Sequence, residues 1–304
     1  MNVDVVMTAA ACRELMTARL AVPVDDAVFH LTGPGTIDCL QGVLTNDVAA
    51  AGSDALVWGA VLTPKGMIIA DLWVRRQGAD ALLVVPAIAR ERVRDVLARS
   101  FPPRLTRATD VTGQVAVRWL LGGAPAAVDG ADLARPAGAA PFAALVLAAD
   151  PAAVDARLGH AGWRPAPSSA ADAARLLAGW PTLGREIDDR TLPQEVRFDE
   201  LGGVSYQKGC YTGQETVARL HFRGHTNRSL RGLHFIAGAA PDRREVTHDG
   251  RAVGTIGTVG RIAEVLVALA TLRREVAAGQ EVRAGDAAAT VVDLPFDPAR
   301  LLPP

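Results

Sequence analysis

The chain reads as an α+β protein that closes with a small β-barrel, and three observations predict it. Its 304 residues exceed what one hydrophobic core organises and point to two or three units. As far as residue 228, helical and strand periodicities alternate, with meanders between tight turns. From Ser229 the pattern changes to short strand-like runs separated by turn residues, the spacing of a barrel. The chain therefore divides into 1–228, an α+β region, and 229–304, the barrel.

The elements follow in order. Residues 10–20 carry Leu15, Met16 and Leu20 at helical spacing, and Pro23 is expected to end that helix. Residues 28–31 read as a short strand, and Gly33-Pro34-Gly35 turns the chain into a helix over 36–44, with Ile37, Leu40 and Leu44 on one face. Residues 58–62, 67–75 and 81–85 form a strand meander joined by turns at 63–66 and 77–80. A helix over 90–99 is stopped by Pro102-Pro103. Strands at 114–121 and 142–147 flank a Gly/Ala/Pro-rich loop, and helices cover 152–158 and 169–178. In the barrel, strands are expected at 230–236, 245–248, 252–259, 265–269 and 288–292, with Asp249-Gly250 as a hairpin turn.

Composition narrows the function. Aromatic residues make up only 5% of a strongly aliphatic chain, the balance of a well-buried protein rather than a disordered one. A net charge of −1 leaves no footprint for nucleic acid, so no direct nucleic-acid partner is expected. Cys12, Cys39 and Cys210 lie far apart with no Cys-x-x-Cys pair, which points to a reducing compartment and no metal cluster. The N-terminus has acidic Asp4 and no basic leader, and no apolar window long enough to span a bilayer occurs. The expectation is a cytoplasmic protein without a membrane span.

The densest chemistry lies in Lys208-Gly209-Cys210-Tyr211-Thr212-Gly213-Gln214-Glu215. Lys208 is two residues from Cys210, and a thiol beside a fixed cation deprotonates more easily, so the two form a catalytic candidate. The other reading packs Cys210 away as a small hydrophobe. Gly209 and Gly213 permit unusual backbone angles, and Gln214 and Glu215 open a helix. Thr45-Asn46-Asp47 either offers donors and acceptors to a ligand or closes a helix. Asp71 is the lone charge in an apolar strand, and it either points outward or answers a hydrogen-bonding ligand.

That octapeptide resembles the signature of the YgfZ-type folate-binding proteins, relatives of the aminomethyltransferase (T-protein) of the glycine cleavage system. Gly179-Trp180-Pro181, Leu192-Pro193-Gln194-Glu195, Gly202-Gly203-Val204-Ser205, Val217-Ala218-Arg219 and Phe222-Arg223-Gly224 resemble the same family in the same order. So do the segment from Leu40 to Asp47 and the turn Thr63-Pro64-Lys65-Gly66 with Asp71 beyond it. The resemblance implies a three-lobed, T-protein-like folate-binding α+β fold, with two lobes in 1–228 and a central tetrahydrofolate site. It also implies that Glu195 recognises the pterin and that Asn46 and Asp71 line the same pocket.

The implied function is to bind tetrahydrofolate or a derivative and support assembly or repair of iron–sulfur enzymes, including tRNA-modifying ones. The partners would be folate and those enzymes or their assembly machinery. Two rivals stand beside it: an aminomethyltransferase-type one-carbon enzyme, and a docking scaffold without folate. The resembling transferases carry paired carboxylates where this chain has Ala70-Asp71, so the catalytic set is incomplete. Where the family commonly places Asn after Pro-Gln-x-x, this chain has Arg197, and contacts of that position do not carry over.

Two further patterns are set aside. The glycines Gly254, Gly257 and Gly260 sit among β-branched residues at the wrong spacing for a dinucleotide fingerprint and read as strand bends. His221 and His225 have zinc-like spacing, but no Glu lies between them and Gly224 weakens a helix there.

Overall fold

The computed structural model describes residues 2–52, 55–236 and 240–302. The chain opens with β1 (Val5–Met7), α1 (Ala9–Thr17), β2 (Leu20–Val24), β3 (Ala27–Thr32) and α2 (Thr36–Gln41). The predicted meander follows as β4 (Ala55–Leu62), β5 (Ile68–Gln77) and β6 (Asp80–Val85), then α3 (Arg90–Ser100) and β7 (Arg107–Asp110). Next come β8 (Ala116–Leu121), β9 (Asp132–Pro136), β10 (Ala144–Ala148), α4 (Pro151–His160), β11 (Arg164–Pro165) and α5 (Ser169–Ala178). After α6 (Gln214–Arg223) the strands are β12 (Arg228–Phe235), β13 (Glu245–His248), β14 (Arg251–Ile262), β15 (Val265–Arg273), β16 (Glu281–Ala284) and β17 (Ala287–Val292), and α7 (Pro298–Leu301) follows.

The first region is built on one ten-stranded sheet in the order β11-β2-β8-β10-β9-β4-β5-β6-β3-β7. Its two halves join at β9, which runs antiparallel to β10 and parallel to β4. In the C-terminal region β14-β13-β16-β17-β12-β15 closes on itself through β14 and β15. The N-terminal β1 adds to that sheet in parallel beside β14, so the two ends of the chain are tied together. Three hydrophobic cores result: a large one around the meander, α2, α3 and α5, one inside the barrel, and one under α4. Among the described residues no helix is long and apolar enough to cross a membrane.

Local expectations failed where tertiary pairing outweighs propensity. The first helix ends at Thr17, and Leu20–Val24 is a strand whose Leu20 and Val22 are buried. Pro23 survives in it because β11 pairs with β2 only at Leu20 and Ala21, so the missing N–H breaks no ladder on that side. The helix expected over 36–44 stops at Gln41. The Gly/Ala/Pro-rich loop contains β9, which Asp132 holds by accepting from Arg75 Nη2 at 2.6 Å and Arg75 Nε at 2.9 Å. This fork-on-carboxylate clamp supplies an order that the composition of 132–136 does not. β1 and β16 were also unread, being short runs completed by their neighbours.

Candidate functional site

On one face of the meander, Trp58 and Trp73 stand opposite each other on β4 and β5, with ring centroids 6.2 Å apart. Trp180 packs 4.3 Å and Phe198 4.0 Å from the Trp58 ring. Phe142 lies 4.9 Å from Trp73 and 4.5 Å from Trp119. All these rings are buried. Trp180 and Phe198 come from loops far along the chain, so the layer exists only once the chain has folded. It fits tightly: a methyl added at Gly203 would stand 2.6 Å from both the Trp58 and Phe198 rings.

Asp71 faces inward against this layer and is 7% exposed. Trp58 Nε1 donates to its Oδ2 at 3.2 Å, while its Oδ1 is buried with no hydrogen-bond partner. Burial pushes the Asp71 carboxyl above its usual range, against the opposing pull of the Trp58 bond and the Arg175 charge. A buried oxygen without a partner costs free energy that either a proton or a ligand donor removes. Of the two readings of Asp71, the outward one is therefore ruled out. Arg175, on α5, lies over the Trp119 ring at 4.3 Å.

Asn46 reaches the same tryptophan from its backbone side. Its Nδ2 donates to Trp58 O and to Gly202 O, both at 2.7 Å, and its Oδ1 accepts from Asp47 N at 2.9 Å. Trp58 therefore links Asn46 to Asp71, through its carbonyl on one side and its indole on the other. Buried Thr45 donates to Gly203 O at 2.7 Å and accepts from Ala60 N at 2.9 Å. The polar run at 45–47 thus stitches the meander to the loop at 202–203.

Glu195 sits in a 3-10 turn (Pro193–Val196) and is buried. Its Oε2 accepts from Leu192 N at 3.1 Å, and its Oε1 accepts from Arg228 Nε at 3.1 Å. No hydrogen bond joins it to Asp71 or Asn46, but the same turn runs on to Phe198 and so into the aromatic layer. Arg197 adopts a left-handed conformation and donates to the carbonyls of Ala178 at 3.1 Å and Gly179 at 2.8 Å, closing the end of α5.

The octapeptide divides into a clasp and an exposed thiol. Lys208 Nζ donates to Gln41 O at 2.8 Å and Leu44 O at 2.6 Å, and its ammonium lies 5.1 Å from the Tyr211 ring centroid. Burial pulls this amine down to about 8. Thr212 N donates to Gly42 O at 3.1 Å. Gly213 has φ +84°, and a side chain there would meet Thr63 O at 2.6 Å, so the turn at 63–66 docks on the start of α6. Tyr211 is buried, and Gln214 Oε1 accepts from its N–H at 3.3 Å. Glu215, Gly209 and Cys210 are exposed. The reading of Cys210 as a packed hydrophobe is thereby excluded.

Sequence reasoning missed Asp26 and Arg175 around Asp71. It also missed a network beside the octapeptide, in which Tyr206 Oη donates to Asp199 at 2.5 Å and His221 Nδ1 lies 3.2 Å from the same carboxylate. The tandem Asp25-Asp26 between two apolar strands was the available signal for the first.

With this geometry in hand, the fold has a solved counterpart. The glycine cleavage system aminomethyltransferase T from Bartonella henselae superposes with a TM-score of 0.80 over 98% of this chain and 92% of that one, at 16% identity. The class is therefore an aminomethyltransferase-like α+β fold with a C-terminal barrel, as expected from the sequence. Within that class the chain is similar to curated proteins named tRNA-modifying protein YgfZ. It is 36% identical over 94 residues to that of Serratia proteamaculans (strain 568), covering 29% of this chain and 28% of the relative. The match to that of Aliivibrio fischeri (strain MJ11) is 32% identical over 122 residues, 38% of each chain. The match to that of Klebsiella pneumoniae (strain 342) is 41% identical over 73 residues, 24% of this chain and 22% of the relative. The matches thus span well under half of these relatives' length. No protein-family model matches the chain. The resemblance drawn from the octapeptide and its flanks is to proteins carrying this same name.

Proposed function

We propose that this protein binds tetrahydrofolate or a derivative against the aromatic layer and, as a folate-binding protein, supports the assembly or repair of iron–sulfur enzymes, including tRNA-modifying ones. The observation that carries the folate half is the buried, unpartnered Oδ1 of Asp71 beneath a wall of aromatic rings. Such a site suits a flat heterocycle with N–H donors, because rings stack on rings and a carboxylate oxygen accepts. Asp71 and Glu195 would contact the ligand, and Asn46 would position Trp58 from behind. Bound folate would supply a carrier for one-carbon units. The link to tRNA modification is supported by the likeness to proteins named tRNA-modifying protein YgfZ, the iron–sulfur part rests on the family resemblance of the octapeptide, and Cys210 would meet the partner because it is exposed. The fold shared with an aminomethyltransferase supports a second reading, one-carbon transfer by the protein itself.

Titration with folinic acid, followed by calorimetry and by tryptophan emission, tests the ligand. Binding with a change in emission is expected, weakened at least tenfold in Asp71→Asn and in Glu195→Gln. Absence of binding, together with rescue of an iron–sulfur maturation defect, would leave a docking scaffold. Folate-dependent release of formaldehyde equivalents from an aminomethyl donor would favour the transferase.

A further inference from the structure

The chain passes from β2, in one half of the large sheet, to β3, in the other, through Asp25 and Asp26. The registers fix where Asp26 lies. Val84 on β6 pairs with Trp73 on one side and Val28 on the other. Asp71 lies two residues before Trp73 on β5, and Asp26 lies two residues before Val28, one position ahead of the first paired residue of β3. Residues directly opposite across antiparallel strands share a face. Asp26 therefore stands on the face that carries Trp58, Trp73 and Asp71, two strand spacings or about 10 Å from Asp71.

The charges facing Asp26 are few. Asp71 and Asp25 add negative potential, and Arg175, held over Trp119 and paired with Asp172 at 3.6 Å, opposes them. Farther along the same face stand Arg75, clamped by Asp132, and His30. No hydrogen bond holds the Asp26 carboxyl among the described residues. Burial, ahead of all other causes, pushes Asp26 up to about 6.

Accepting the folate reading above, we propose that Asp26 is the second carboxyl of the ligand site, a residue that takes up a proton as a reduced pterin covers it. The step is a simple protonation: a proton from solvent adds to a carboxylate oxygen, and no other bond changes. Asp71 is held in place by the Trp58 bond, whereas no hydrogen bond among the described residues holds Asp26. A ligand that withdraws Asp26 from water disfavours its charged form further, so proton uptake accompanies binding and affinity rises as pH falls.

Two measurements test this. Without ligand, the emission of the five tryptophans, of which those at 58, 73, 119 and 180 stand in or beside the layer, should show a one-proton step near pH 6, lost in Asp26→Asn and kept in His30→Gln. With folinic acid, the wild type should bind about tenfold more tightly at pH 6 than at pH 8, and Asp26→Asn should bind equally at both within about twofold. A step that persists in Asp26→Asn overturns the assignment, as does equal wild-type affinity at the two pH values. Failure of folinic acid to bind at any pH overturns the folate reading and the coupling with it. The ligand-free step then shows separately whether Asp26 titrates. Asn is nearly isosteric with Asp, and thermal melts of the variant confirm that it folds.

Discussion

In the aromatic layer, Trp58, Trp73, Trp180 and Phe198 close around Asp71 and leave one of its oxygens without a partner. In the octapeptide loop, the cation of Lys208 is spent on the carbonyls of Gln41 and Leu44, and Cys210 is left in solvent. The two regions are bridged by residues 41–46: Lys208 holds the carbonyls of Gln41 and Leu44, and the adjoining Thr45 and Asn46 bond to the meander and to the loop at 202–203. The more conspicuous motif is thus largely a fastening that fixes the wall of the less conspicuous site. A dense signature marks residues that must be held together, and part of that holding serves geometry elsewhere.

The strongest way to break this comparison is through glycines. Gly203→Ala forces a methyl against two buried rings and should cost about 3 kcal/mol in chemical denaturation, the scale of overpacking a full core. The same change at Gly209, with nothing within 4 Å, should stay within about 0.5 kcal/mol. A cost under about 1 kcal/mol at Gly203 would mean that the aromatic wall yields.

Thiol labelling comes next. Cys12 is fully buried, and burial raises both its pKa and that of Cys39, whereas Cys210 is exposed. Iodoacetamide at pH 7.5, read by peptide mass spectrometry, should modify Cys210 on the order of 100-fold faster than Cys12, whose modification waits on local opening. Comparable rates would contradict the exposed loop.

The smallest expected effect concerns Asp26 and the sign of its linkage. Its folded pKa of about 6 lies above the unfolded value, so the folded state binds the proton more tightly and stability falls as pH rises between the two. Above pH 6 the full penalty of the buried charge is present, and below the unfolded pKa it is gone. Asp26→Asn should therefore raise Tm by a few degrees at pH 7.5, with the gain shrinking toward pH 4. Calorimetry across that range checks it, and a gain independent of pH would assign the effect to something other than the carboxyl.

Much of this molecule was legible in its sequence because the signals are local. The 3.6-residue pattern of α5 and the alternation of the meander each specify an element without help from elsewhere. Glycine chemistry at Gly213 was similarly readable, because a left-handed turn needs a residue without a side chain. Only the tertiary structure decided the rest. β9 exists through Arg75 and Asp132, 57 residues apart, and β2 replaces the end of a predicted helix because β8 offers a ladder. Asp26 and Asp71 are 45 positions apart in sequence and share a face only because β6 pairs with both their strands. The physical reason is the same throughout: hydrogen-bond ladders and charge pairs act through space, so their partners are set by the folded sheet and not by neighbours along the chain.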